Sequence, residues 1–250
     1  MNDLVFTEKQ GAVLEVILNR PDKKNALTLS MYQKLTQTLS KAMDDPEVNV
    51  VLLRAEGDSF SAGNDIQDFI SSAHNPQAID IIVGFLHTLV DCEKPIIAAV
   101  NGDAVGIGTT MLLHCDIVVA ANDLRCQMPF VKLGLIPEGG STLLLPSLVG
   151  QKKAFELMVE GKPFGAEKAQ TIGIVNQVVS SGELLDQARD RAQALSHLLP
   201  NSVQISKALM KKPYIEELHR TLDEEGRLFY KRLSSPEAKA AFMTFLQASA

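Results

Sequence analysis

A glutamate between a proline and two glycines is the strongest chemical signal in this sequence. Glu138 lies in LGLIPEGGSTLLLP at 133–146, and two glycine-rich turns precede it, FSAGNDI at 60–66 and VNGDAVGIG at 100–108. Such turns can aim backbone N–H groups at an anionic oxygen, because glycine adopts positive φ and lets the backbone approach a ligand. A carboxylate beside those donors could remove a proton alpha to a carbonyl. The residues therefore indicate enolate chemistry, provided that the three segments meet.

Each of these features also has a purely structural interpretation. The glycine-rich segments could be tight turns and nothing more. Glu138 could place negative charge at a helix N-terminus, which stabilises a helix by about 0.3–1 kcal/mol. The two roles of Glu138 are compatible, because a helix end favours the carboxylate while apolar neighbours such as Phe130 and Leu135 would raise its basicity.

Strands and helices alternate through the first two thirds of the chain. Apolar runs predict strands at 12–18, 48–55, 95–100, 116–121 and 174–179. Helical periodicity predicts a helix capped by Thr28 or Ser30, another at 78–90, and a short one ending near His114. This order, with glycine-rich corners after strands, predicts an α/β fold of stacked ββα or βαβ units around parallel sheets.

The last third reads as almost entirely helical, with predicted helices at 183–197, 202–211, 214–233 and 236–246. A break at Leu199-Pro200 suggests a core over 1–199 and a C-terminal helical region over 200–250. Leu218, Leu222 and Phe229 form an apolar stripe, which must be buried in the chain's own core or against another subunit.

Composition limits the classes of function. The net charge of −6 argues against nucleic acid or an anionic membrane as a partner, and no apolar run reaches the length of a membrane span. The three cysteines have no disulfide or metal-site spacing, so we expect free thiols, a reducing compartment and no metal. The first residues lack a signal-peptide pattern and the last lack a Ser-Lys-Leu address. We therefore expect a cytoplasmic protein.

Five motifs together resemble the crotonase superfamily, also called the enoyl-CoA hydratase/isomerase family, over nearly the whole chain. They are LNRPDKKNAL at 18–27, FSAGNDI at 60–66, KPIIAAVNGDAVGIG at 94–108, CDIVVAA at 115–121 and LGLIPEGG at 133–140. The resemblance implies a crotonase-like spiral of ββα units, whose C-terminal helices help to build a homotrimer or a dimer of trimers. It also implies an acyl-CoA thioester substrate and no cofactor, since CoA arrives as part of the substrate.

The resemblance assigns roles to particular residues. The backbone N–H groups of Asn64 and Ile107 match the two donors that bind the thioester oxygen. Asp65 and Asp103 are more typical of turn caps than of catalysts. Further substrate or CoA contacts are implied for the surrounding turns, for a residue of the acyl pocket and for two lysines near the CoA phosphates: Ser61, Ala62, Gly63, Asp65, Ile66, Gly106, Phe130, Lys23 and Lys24.

Departures from the family pattern reduce the number of reactions that the sequence favours. Hydratases of this family carry two glutamates, and the matching positions here are Thr110 and Phe130. Without that pair, water cannot be deprotonated and added in the usual way, so a hydratase is disfavoured. Glu138 remains as the candidate base, and no rival carboxylate is expected.

One branch of the family, the peroxisomal-type Δ3,Δ2-enoyl-CoA isomerases, resembles this chain closely in its Pro-Glu-Gly loop and its Asn-Asp pair. In that branch the matching glutamate moves a proton from C2 to C4, which gives trans-2-enoyl-CoA for β-oxidation of fatty acids. One base suffices, because the same group acts as base and then as acid. The alternatives are another enolate chemistry on acyl-CoA (hydratase, thioesterase or decarboxylase) and a non-catalytic acyl-CoA-binding module.

Overall fold

The strands divide into a large, mostly parallel sheet and a small second sheet in this computed structural model, which describes residues 3–71 and 76–248. In chain order they are β1 (Val5–Gln10), β2 (Val13–Leu18), β3 (Val50–Ala55), β4 (Ile96–Val100), β5 (Asp103–Val105), β6 (Ile117–Ala121), β7 (Arg125–Gln127), β8 (Phe164–Gly165) and β9 (Gln177–Val179). The large sheet has the order β1-β2-β3-β4-β6-β9, and only β1 pairs antiparallel in it. The small sheet has the order β5-β7-β8.

Helices connect the parallel strands and then dominate the end of the chain. They are α1 (Leu29–Asp44), α2 (Ile66–Ser71), α3 (Pro76–Asp91), α4 (Ile107–Thr110), α5 (Ser141–Val149), α6 (Gln151–Phe155), α7 (Ala166–Thr171), α8 (Leu184–Ser196), α9 (Pro200–Lys211), α10 (Ile215–Leu233) and α11 (Pro236–Ala248). Thr28 caps α1 by accepting the N–H of Met31 at 3.3 Å, as predicted. Among the described helices, none has the length and hydropathy that a membrane span needs.

Both faces of the large sheet are covered, which explains why its central strands are apolar at every position. Along β3, Val51 and Leu53 face the main core, where the helices α1 and α3 pack. Val50 and Leu52 face the opposite side, where they pack with small residues of α8 such as Ala188. The central strands of the sheet are therefore buried on both faces, and the helices pack against them.

Most predicted elements are present with ends within two residues of the prediction. The strand predicted at 174–179 is shorter, because the N–H groups of Ile174 and Val175 donate to the carbonyl of Ala169 at the end of α7. β1 was not predicted, since its sequence VFTEKQ is mainly polar and it pairs at the sheet edge. The strands β5, β7 and β8 contain only two or three residues each and carry no readable period.

The C-terminal helices differ in how far their apolar side chains are buried. On α10, Leu218, Leu222 and Phe229 are buried in the same core as the strands, so the chain itself covers this stripe. On α9, Ile205, Leu209 and Met210 are exposed. The boundary near residue 199 stays a prediction about the organisation of the chain.

We expect Leu222→Ala to lower the free energy of unfolding by about 2–5 kcal/mol, because it would leave a cavity at a side chain that is 1% exposed. Glu224→Ala, on the exposed face of the same helix, is the matched control and should stay within about 0.5 kcal/mol of the wild type. Urea unfolding monitored by circular dichroism compares them. Equal losses for the two variants would contradict the packing of α10 into the core.

Candidate active site

The two glycine-rich turns lie against each other. The N–H of Ser61 donates to the carbonyl of Asp103 at 3.0 Å, and the N–H of Val105 donates to the carbonyl of Ser61 at 2.9 Å. Gly63 has φ of +92°, and a Cβ at this position would lie 2.8 Å from the carbonyl oxygen of Val105. The glycine is thus needed for both its backbone angle and the close approach of the second turn. The fold brings together two segments that are separated by about forty residues of sequence.

The two residues that carry the predicted donors line one cavity. Asn64 and Ile107 border it together with Gly106 and Phe130. Within the described part of the chain, neither the N–H of Asn64 nor that of Ile107 donates to a protein acceptor. Ile107 is the first residue of α4, where a backbone N–H has no partner inside the helix. Each of the two turns therefore leaves one backbone N–H without an acceptor among the described residues.

Glu138 lies in an adjoining cavity that Asn64 also lines. Its side chain is buried, and Oε1 accepts a hydrogen bond from Thr110 Oγ1 at 2.8 Å. Oε2 is buried and has no partner among the described residues. Burial raises the pKa of this carboxyl to about 8, although the hydrogen bond from Thr110 opposes the shift. Glu138 therefore presents one free oxygen of raised proton affinity to the cavity.

The loop that carries Glu138 is fixed by its neighbours. Gly139 has φ of +75°, and a Cβ here would lie 2.9 Å from Thr110 Oγ1, so glycine leaves room for the hydrogen bond to Glu138. His114 Nε2 donates to the carbonyl of Gly139 at 2.7 Å. Burial lowers the pKa of His114 to about 4, so the ring is neutral near pH 7 and carries its proton on Nε2. The sequence placed His114 near the end of a short predicted helix and gave no signal of this contact.

Three aromatic rings line the space between the two cavities. Phe69 and Phe229 border both of them, and Phe130 borders the cavity of the donor turns. The rings meet edge to face, with centroids 5.6 Å apart for Phe69 and Phe229 and 6.4 Å apart for Phe130 and Phe229. The cavity of Glu138 is closed by apolar side chains of α3 such as Ile82 and Leu86. This lining suits an alkyl or alkenyl chain.

A second carboxylate lies in the site, which the sequence did not predict. Glu225 of α10 is buried and lines the same cavity as Glu138, so the expectation of no rival carboxylate is wrong. Both of its oxygens are occupied: Oε2 accepts from the N–H of Gly140 at 2.6 Å, and Oε1 accepts from the N–H of Thr142 at 3.0 Å. A signal was present, since position 225 falls on the buried stripe formed by Leu222 and Phe229.

Tyr32 was also missed. Its hydroxyl donates to Asn64 Oδ1 at 2.5 Å, which fixes the side chain beside the first donor turn. Burial, together with the charge of Glu138, raises the pKa of Tyr32 well above 10, so the phenol stays protonated and remains a donor. Tyr32 lies on the buried stripe of α1 with Met31 and Leu35, where sequence periodicity alone indicates core packing.

The remaining predicted contacts fall into two groups. Ala62, Gly63, Ile66, Gly106 and Phe130 line the cavity of the donor turns. Ser61 is buried and donates to the carbonyl of Asn25 at 2.9 Å, and Asp65 pairs with Arg20 at 2.7 Å while capping α2.

Of the two lysines, Lys24 contacts the first donor turn. The carbonyl of Lys24 accepts from the N–H of Ala62 at 2.8 Å, and Lys24 Nζ lies 3.1 Å from Asp103 Oδ2. Lys23 is exposed in a short 3-10 turn, Pro21–Lys23. Among the residues that the structure describes, no group of three or more His, Cys, Asp or Glu side chains could hold a metal ion.

Comparison with known proteins places this chain in one family. The family model described as enoyl-CoA hydratase/isomerase matches residues 8–249. Enoyl-CoA delta isomerase 2 of Rattus norvegicus is 36% identical over 248 residues, covering 97% of this chain, and the chain spans 63% of that relative's length. A probable mitochondrial enoyl-CoA hydratase of Dictyostelium discoideum is 31% identical over 245 residues, covering 96% of this chain and 87% of the relative.

A solved structure extends the likeness to the fold. OdaA of Pseudomonas aeruginosa superposes with a TM-score of 0.93 at 44% identity, covering 98% of this chain and 99% of that one. The crotonase-like α/β architecture implied by the sequence motifs is thereby confirmed. This chain belongs to the enoyl-CoA hydratase/isomerase family.

Proposed function

We propose that this protein is a Δ3,Δ2-enoyl-CoA isomerase, which converts 3-enoyl-CoA into trans-2-enoyl-CoA in the β-oxidation of fatty acids. The observation that carries the proposal is Glu138 Oε2, a buried carboxylate oxygen without a partner among the described residues. It lies in a cavity that Asn64 also lines, and Asn64 and Ile107 together line the adjoining cavity. Relatives include proteins named as isomerases and as hydratases, so the family alone does not choose between them.

The proposed reaction is a proton shuttle by one carboxylate. The thioester oxygen accepts hydrogen bonds from the N–H groups of Asn64 and Ile107, and Glu138 Oε2 removes a proton from C2. The electron pair moves onto the thioester oxygen, where the two donors stabilise the enolate. Glu138 then donates the proton to C4, and the double bond forms between C2 and C3. Protons and electrons balance within the substrate, so we propose that no metal or redox cofactor takes part.

The substrate contacts are part of the proposal. The apolar residues around Phe130 would receive the acyl chain, and the turn residues Ala62, Gly63, Ile66 and Gly106 would border the thioester. Lys23 and Lys24, at the rim of the first turn, would meet the CoA phosphates as point charges. We place the protein in the cytoplasm, because its three cysteines are free thiols, which suits a reducing compartment.

We expect Glu138→Gln to reduce kcat for 3-enoyl-CoA isomerisation by about 10²- to 10⁴-fold and to leave affinity for a saturated acyl-CoA nearly unchanged. Glutamine keeps the size of the side chain but cannot accept the C2 proton. Turnover is followed by the absorbance of the conjugated product, and binding by calorimetry.

Glu167→Gln, at an exposed glutamate of α7, is the matched control and should keep the wild-type rate. A Glu138→Gln variant that keeps more than about a tenth of the wild-type kcat would show that Glu138 is not the base. The charge at the start of α5 would then be the better interpretation of this residue.

We also expect negligible hydration of crotonyl-CoA. Thr110 and Phe130 occupy the positions of the two hydratase glutamates, and Glu225 is bound to the start of α5 with both oxygens. Among the described residues that line the two cavities, no carboxylate pair is then free to activate water and protonate carbon. Loss of crotonyl-CoA absorbance measures the rate, with 3-enoyl-CoA as the reference substrate. A hydration rate comparable with isomerisation would favour the hydratase alternative.

We further propose a homotrimer or a dimer of trimers, in which the exposed apolar face of α9 contacts another copy. Ile205, Leu209 and Met210 lie on this face. Contiguous apolar patches are uncommon on monomeric proteins. Light scattering at micromolar concentration should give a mass of three or six chains. A stable monomer would contradict the proposal, and Leu209→Asp should lower the mass if α9 forms the contact.

A further inference from the structure

The carboxylate of Glu225 supplies a helix cap that the local sequence lacks. α5 begins at Ser141, and its N-cap residue Gly140 has no side chain with which to bind the free N–H groups of the first turn. Glu225 Oε2 accepts from the N–H of Gly140 at 2.6 Å. Its Oε1 accepts from both the N–H and the hydroxyl of Thr142, at 3.0 and 2.6 Å. The start of α5 is therefore held by a residue that lies 85 positions further along the chain.

The backbone at Gly140 disfavours a side chain that could cap α5 locally. This residue has φ of +70°, and a Cβ there would lie 2.5 Å from Leu218 Cδ1 on α10. A serine, threonine or aspartate at this position would therefore adopt an unfavourable backbone angle and would have to displace the end of the Leu218 side chain. The cap comes instead from Glu225 of α10.

The same hydrogen bond fixes the loop that carries Glu138. Three contacts hold the segment 138–140: Thr110 at the Glu138 carboxylate, His114 at the carbonyl of Gly139, and Glu225 at the N–H of Gly140. Thr110 is the last residue of α4, and His114 lies in the 3-10 turn that follows it. Glu225 ties the loop to α10, which also lines the cavity of Glu138. Small displacements of a reacting group reduce rates by up to about 10²-fold, so this contact bears on catalysis.

Glu225 also acts through its charge. Each of its partners is a donor, so the ionised form fits the site, although burial raises the pKa of Glu225. Its negative charge contributes to the raised pKa of Glu138. Among the described residues, Tyr32, whose pKa is raised, and His114, whose pKa is lowered, also lie near this loop, and both are neutral near pH 7.

We propose that Glu225 is a positioning residue for the proposed proton transfer, because its carboxylate holds the loop that carries Glu138 and places a fixed negative charge beside the base. This inference rests on the proposed isomerase function. Glu225 itself touches no reacting atom, since both of its oxygens are bound to the start of α5.

The test compares Glu225→Gln with the wild type. Glutamine has the same size, but it removes the charge, and its amide can no longer accept from both Gly140 and Thr142. We expect kcat to fall about tenfold or more while KM changes little. In the wild type the rate should rise with pH and level off above about 8, because the base must be ionised. In Glu225→Gln this rise should move to lower pH, since the neighbouring negative charge is gone.

A second readout does not depend on turnover. Difference infrared spectroscopy follows the protonated carboxyl band of Glu138, which is identified by its loss in Glu138→Gln. The midpoint of this band should move to lower pH in Glu225→Gln and stay in place in Glu224→Gln, the exposed neighbour on the same helix. If the wild type does not isomerise 3-enoyl-CoA, the proposed function fails while the infrared titration still tests the role of Glu225.

Glu225→Asp separates position from charge. It keeps the carboxylate but shortens its reach, so kcat should fall while the pH midpoint of the Glu138 band stays near the wild-type value. If Glu225→Gln does not fold, Glu225→Asp alone tests whether Glu225 positions the loop. The proposal is overturned if Glu225→Gln keeps kcat within about twofold and leaves the midpoint unchanged, or if Glu225→Asp has the wild-type kcat.

Discussion

The site depends on keeping the carboxyl group of Glu138 out of water while one of its two oxygens has no hydrogen-bond partner among the described residues. A buried polar oxygen without a partner costs free energy, and a buried charge costs more unless the surroundings compensate it. In this fold Thr110 compensates one oxygen of Glu138, and the other faces an apolar cavity. The shift of its pKa to about 8 expresses the energetic penalty of that arrangement. The structure has to supply rigid packing on all sides, or the carboxylate would turn towards solvent.

That packing comes from elements far apart in sequence. The glycine-rich turns interlock because Gly63 admits the carbonyl of Val105, and α3 meets α10 closely because a Cβ at Gly226 would lie 2.6 Å from Val83 Cγ2. The absence of side chains at these two glycines lets backbone donors and apolar walls converge on one small volume. The geometry of the site therefore depends on the close approach of backbone segments as much as on the presence of Glu138.

The sequence predicts most of the regular structure but only part of the site. The central strands can be predicted because they are apolar on both faces. Glu138 and the donor turns can be predicted because proline and glycine residues lie next to them. Glu225 escapes prediction because its partners, Gly140 and Thr142, belong to another segment, and helix periodicity assigns its position only to a buried face. The contacts of Tyr32 and His114 could not be predicted for the same reason. Each side chain is indistinguishable from a packing residue until its hydrogen-bond partner is known.

The docking of α10 has a further consequence for biosynthesis. On the ribosome the chain emerges from its N-terminus, so the donor turns and Glu138 are synthesised long before Leu222, Glu225 and Phe229. Until those residues leave the exit tunnel, the cavity lacks one wall and the carboxyl is hydrated, with the acidity of an ordinary surface glutamate. The basicity of Glu138 is therefore a property that the nascent polypeptide acquires only after α10 has been synthesised, when that helix closes over a loop made some 85 residues earlier.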